Sequence, residues 1–132
     1  MTATATPRTA TAILVIEDEP SVSAFVRAAL ERRGYKVVQA SSGAAGLQQL
    51  EERAFAGVIS DIRMPGSING ADVHEWIRKN QPQMAGKIIL ISGDTANNET
   101  QHLLATSQTP CLEKPFRVQK LISMVEKTFG KP

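Results

Sequence analysis

Five polar residues lie at the ends of four apolar runs: Glu17 and Asp18 after 13–16, Asp61 closing 57–61, Ser92 after 87–91, and Lys114 after 110–113. Three carboxylates gathered at one edge repel one another and raise at least one proton affinity, so the set makes chemical sense around a cation. An oxygen-only set suits Mg²⁺, which takes a few carboxylates, retained waters and a phosphate oxygen. A carboxylate also attacks phosphorus, and the resulting acyl phosphate needs positive charge on its oxygens, which Lys114 and the metal would supply. The Ser92 hydroxyl can donate to a phosphoryl oxygen, so its position would differ between the phosphorylated and free chain.

These residues converge only if the elements carrying them form one parallel sheet. Ile13-Leu14-Val15-Ile16 is a continuous apolar run suited to a strand buried on both faces. Ser21 is positioned to cap a helix with Val22, Phe25, Val26, Ala29 and Leu30 at three- and four-residue steps, ending at Gly34. A second strand is expected over 35–40, a helix after Ser42 carrying Leu47 and Leu50, and a third strand over 57–61. The loop 63–69 leads to a helix over about 71–80, stopped by Pro82. Lys87-Ile88-Ile89-Leu90-Ile91 is the most apolar run, and 110–113 is a short, weaker strand. Between them, 97–108 has only Leu103, Leu104 and Ala105 as apolar anchors, which predicts a short, loosely held helix. A last helix over 118–129 carries Val118, Leu121, Ile122, Val125 and Phe129 on one face. Five strands alternating with five helices predict an α/β domain, a doubly wound parallel sheet covered on both sides, with ligands gathering at the carboxyl ends of the strands.

The chain of 132 residues, 42% hydrophobic and 21% charged, has ordinary globular composition and fits one domain. No apolar stretch approaches the roughly 20 residues that cross a bilayer, so no membrane partner is expected. A net charge of +2 with scattered basic residues gives little support for nucleic-acid binding. Residues 1–11 read as a disordered tail without the apolar core of a secretory signal, and one cysteine, Cys111, fits a reducing compartment. A cytoplasmic location is therefore expected. His74 and His102 read as surface residues, and Trp76 as helix packing.

The ordered set Glu17-Asp18, Asp61 with Met64-Pro65 beyond it, Ser92-Gly93, and Lys114-Pro115-Phe116 resembles the receiver domains of two-component response regulators over nearly all of the chain after the tail. The resemblance implies a flavodoxin-like sheet of order 2-1-3-4-5 in a receiver domain over 12–130; because the chain stops shortly after its last helix, no output domain is expected. It implies Asp61 as phospho-acceptor, Glu17 and Asp18 as the acidic Mg²⁺ site, the Arg63 carbonyl as a further metal ligand, Ser92 as the hydroxyl switch and Lys114 as the phosphate-binding lysine. The implied donor is the phosphohistidine of a histidine kinase or phosphotransfer protein. The implied output is a downstream protein partner meeting the 97–129 face, because loosely held elements switch cheaply.

Three positions depart from the family pattern. Cys111 stands where an aromatic residue usually couples to the hydroxyl switch, and a small residue cannot fill or vacate a pocket in the same way. Arg63 and Asp94 stand where side chains flank the phosphoryl group; a pair between them, or Arg63 on the phosphate, would shield it from water and prolong its life. Phosphatases that form an aspartyl phosphate carry a second Asp two residues after the first, where this chain has Arg63, which leaves Asp61 without the general acid needed for turnover. The chain is therefore expected to be a phospho-acceptor, not an enzyme. A receiver that binds partners without phosphorylation is the alternative, and Cys111 is its main support.

Overall fold

A computed structural model describes residues 12–64 and 66–132. The expected tail over 1–11, and Pro65 in the loop after the third strand, lie outside the described residues. The elements run β1 (Ala12–Ile16), α1 (Pro20–Arg32), β2 (Lys36–Ala40), α2 (Gly43–Glu52), β3 (Gly57–Asp61), α3 (Gly70–Asn80), a 3₁₀ turn (Pro82–Met84), β4 (Ile88–Ser92), α4 (Asn98–Ser107), β5 (Cys111–Glu113) and α5 (Val118–Phe129). All strand pairings are parallel and the sheet order is β2-β1-β3-β4-β5, the order expected from the resemblance.

The apolar runs are continuous because β1, β3 and β4 are buried along their whole length, whereas the edge strands β2 and β5 leave residues exposed. Successive side chains point to opposite faces. Leu14, Ile16, Val58, Ile88 and Leu90 therefore meet Leu50 of α2 and Val73 and Ile77 of α3. Ile13, Val15, Ile59, Ile89, Ile91 and Leu112 meet Val26 and Leu30 of α1 and Leu121 and Val125 of α5. The least anchored element is α4, whose sole fully buried residue is Thr100 and whose Leu103 and Leu104 are only partly covered.

Local signals explain most helix ends. The Ser42 hydroxyl accepts from the Ala45 amide at 3.1 Å, as expected of a cap. Asn69 and Asp72 form a reciprocal capping box that starts α3. Ser21 does not cap α1, contrary to the sequence expectation. Pro20 opens that helix and Glu19 is the cap residue, with no side-chain cap bond, because proline's fixed φ and missing N–H suit the first helical position. Strand β4 extends one residue further than expected, so Ser92 closes it instead of following it.

Candidate functional site

The sheet changes winding direction between β1 and β3, and the site sits at that point. Ile16 is in register with Ser60, so the next residues along, Glu17 and Asp61, leave the two central strands side by side. On the other flank Ser92 is in register with Glu113, and the Lys114 amide donates to the Ser92 carbonyl at 2.8 Å. The Lys114 side chain then runs past Gly93, where an added Cβ would lie 3.9 Å from its Cδ, toward the carboxylates. The peptide bond from Lys114 to Pro115 is cis.

Lys114 Nζ ends 2.9 Å from Asp61 Oδ2, 2.8 Å from Glu19 Oε1 and 3.2 Å from Glu17 Oε1. The first two contacts are hydrogen bonds. The third is an ion pair by distance but misses hydrogen-bond angles, which leaves the buried Glu17 Oε1 with no hydrogen-bond partner. Glu17 Oε2 is satisfied by the Glu19 amide at 3.1 Å. Asp61 Oδ1 accepts from the Arg63 amide at 3.3 Å, and the Ser60 hydroxyl donates to the Asp61 carbonyl.

Burial raises the Glu17 carboxyl to about 7, assisted by the neighbouring Asp61 charge and opposed by the Glu19 amide and Lys114. The raised proton affinity expected from carboxylate crowding is thus present, but desolvation is its larger cause. Burial alone would lower the Lys114 ammonium; hydrogen bonds to Glu19 and Asp61 and the charges of Asp61 and Glu17 outweigh it and hold the group above its ordinary value.

Among the described residues the carboxylates able to share one ion are Glu17, Glu19 and Asp61, whose ligand atoms lie within 4.8 Å of one another. Asp18 stands outside that group and lines the adjoining depression with Glu17, Ser23, Gln39 and Ser41. Glu19 was missed by the sequence reading, although it directly follows the acidic pair. Ser92 is buried, and its hydroxyl accepts from the Asp94 amide at 3.0 Å.

The pattern of a response regulator receiver domain matches residues 13–126. The chain belongs to the response regulator receiver domain family. It is 30% identical to the response regulator receiver protein CpdR of Brucella abortus over 87% of this chain and 93% of that protein. It is 33% identical to the sensor kinase CckA of the same organism, over 90% of this chain but only 12% of the kinase. The receiver domain of NtrX from Brucella abortus superposes with a TM-score of 0.79 at 28% identity, covering 89% of this chain and 97% of that one. Receivers of two-component signalling thus occur both alone and inside kinases among these relatives. No helix among the described residues is long and apolar enough to cross a membrane.

In this receiver, Arg63 and Asp94 are both exposed, and no ion pair joins them among the described residues. Arg63 instead lines a groove with Asn97, Thr100 and Leu103 of the α4 region. Cys111 is half-buried, and burial, then the charges of Glu113 and Asp61, push its thiol up, so it stays protonated. Its strand is tied to the loop after β4 by Thr95, whose hydroxyl donates to Glu113 Oε2 at 2.7 Å. His74 is not the simple surface residue expected: it is half-covered, its ring nitrogen lies 3.1 Å from Thr109 Oγ1, and burial lowers its proton affinity.

Proposed function

We propose that this receiver takes a phosphoryl group onto Asp61 from the phosphohistidine of a histidine kinase or phosphotransfer protein and signals to a protein partner. The observation that carries the reading is the 2.9 Å contact between Lys114 Nζ and Asp61 Oδ2 at a buried carboxylate cluster. An Asp61 oxygen attacks phosphorus; the P–N bond to the histidine breaks as the P–O bond forms, and the imidazole leaves with the electron pair. Lys114 donates to the new phosphoryl oxygens, and the Ser92 hydroxyl turns from the Asp94 amide to do the same.

The residues fit a divalent ion. Buried Glu17 Oε1 has no hydrogen-bond partner, and an oxygen-only set suits Mg²⁺. Glu17, Asp18, Asp61 and the Arg63 carbonyl would hold it, with Glu19 within reach of the same group. Bound there, Mg²⁺ would neutralise charge on the transferring phosphoryl oxygens.

The α4, β5 and α5 face is the proposed partner surface, and the small anchoring of α4 supports it. A long phosphoryl lifetime resting on an Arg63–Asp94 pair gains no support from two exposed, unlinked side chains. The phosphorylation-independent alternative draws on Cys111, which leaves β5 without the aromatic side chain that usually reports on the hydroxyl.

Incubation with Mg²⁺ and acetyl phosphate, followed by intact-mass measurement, tests the reading. The expected result is one added phosphoryl group on the native chain and none on Asp61→Asn. Equal mass gain in both, or none in either, would overturn it.

A further inference from the structure

An ammonium has three donors, and in the unphosphorylated chain Lys114 faces three carboxylates: Asp61, Glu17 and Glu19. They are not equivalent. The side chains of Glu17 and Asp61 are 0% and 6% exposed, whereas that of Glu19 is 57% exposed. Glu19 also makes no cap bond to α1, so its carboxylate is free of any helical duty. A phosphoryl group on Asp61 converts that carboxylate into an ester-like oxygen and brings new anionic oxygens to the same place. Two of the three donors are already in hydrogen bonds, to Asp61 and Glu19, so bonding several phosphoryl oxygens draws Lys114 away from a present partner. Stripping the cation from buried Glu17 leaves an uncompensated charge away from water, while water readily solvates an exposed carboxylate. The exposed partner is the one that is cheap to lose.

We propose that Glu19 is a positioning residue for Lys114: it holds Nζ toward the rim of the unphosphorylated site and is the carboxylate that Lys114 leaves when a phosphoryl group arrives on Asp61. The inference rests on Asp61 being the acceptor. Glu19 therefore competes with the phosphoryl group, and removing its charge favours the phosphorylated state. An exposed pair of this kind changes an equilibrium or rate by roughly two- to fivefold. The competition is screened by salt.

The test uses acetyl phosphate, whose P–O bond to acetate breaks as the bond from Asp61 to phosphorus forms, acetate leaving with the electron pair. Rates of mass gain are compared in the native chain, Glu19→Gln and Glu19→Asp across ionic strength. The expected result is a roughly two- to fivefold faster gain in Glu19→Gln, a difference that shrinks with added salt, and a near-native rate in Glu19→Asp. A metal-free readout accompanies it: in urea unfolding, a double-mutant cycle of Glu19→Gln with Lys114→Gln should show a coupling of about the same factor. A Glu19→Gln rate equal to native at all salt concentrations, or a cycle with no coupling, would overturn the inference while leaving Asp61 as acceptor. A native chain that gains no Asp61-dependent mass would remove the acceptor reading and this inference together.

Discussion

The ammonium of Lys114 lies 2.9 Å from Oδ2 of Asp61, and it is the same ammonium that offsets Glu17, the most buried charge of the site. One side chain thus compensates two strand ends at once. Lys114→Met is expected to cost about 1–3 kcal/mol of stability at pH 8, because it leaves buried carboxylates unpaired. At pH 5 the cost should be smaller, since Glu17 is then protonated. Urea unfolding at the two pH values checks this; an equal loss at both would refute the charge-based account.

Glu17 makes the native chain bind a proton more tightly than the unfolded chain, with its carboxyl raised from 4.5 to about 7. For a raised acid the native state holds more protons between those two values, so its contribution to stability is full below about pH 4.5 and declines until about pH 7. A displacement of that size corresponds to on the order of 3 kcal/mol. Glu17→Gln should flatten this part of the pH profile. His74 acts with opposite sign: its lowered proton affinity costs stability as pH falls below its ordinary range near 6.5, so a His74→Gln background isolates the Glu17 slope.

Gly70 starts α3 against the end of β3. A Cβ there would lie 2.4 Å from the Asp61 carbonyl oxygen and 2.7 Å from Ile62 Cα, backbone atoms that cannot swing aside. Gly70→Ala is expected to cost about 1–3 kcal/mol and to slow phosphorylation by shifting Asp61. Thermal unfolding together with the acetyl phosphate assay measures both; a native-like midpoint would show that α3 can move away freely.

Thr95 and Glu113 link the loop that follows Ser92 to the strand that carries Cys111. Thr95→Val removes the donor at nearly constant volume. Because the bond is exposed, the expected loss of stability is only about 0.5 kcal/mol. Backbone amides of 93–97 and 111–113 should exchange measurably faster. Unchanged exchange in both segments would mean that the hydroxyl does not couple them.

The strands were legible because burial on both faces makes β1 and the leading residues of β3 and β4 apolar, and the polar residues Ser60, Asp61 and Ser92 come only at the ends where the chemistry begins. Five of the singled-out residues, Glu17, Asp18, Asp61, Ser92 and Lys114, do lie at carboxyl ends of strands as read. What escaped the sequence are the contacts between segments far apart in the chain. Glu19 drew no reading from the sequence, and only the path of Lys114, 95 residues away, brings the two together. Thr109 and His74 are likewise unremarkable until the fold brings the residues before β5 against α3. The start of α1 was misread because Ser21 is a good cap by type, but Pro20 precedes it and fixes where the first turn begins.

The strand that presents Lys114 is the shortest of the five, three residues at an edge of the sheet, while the buried carboxylates it offsets, Glu17 and Asp61, stand at the ends of the interior strands β1 and β3. Edge strands with few anchoring bonds open first in local unfolding. When β5 lifts away, the central strands keep their carboxylates but lose the cation between them. On the proposed reading, a donor protein meeting such a partly opened molecule would find Asp61 without its lysine. If Asp61 is the acceptor proposed above, phosphorylation would report on folding by favouring chains whose last strand has closed, and a phosphoryl group held by Lys114 would act in return as a clasp on that strand, slowing its opening.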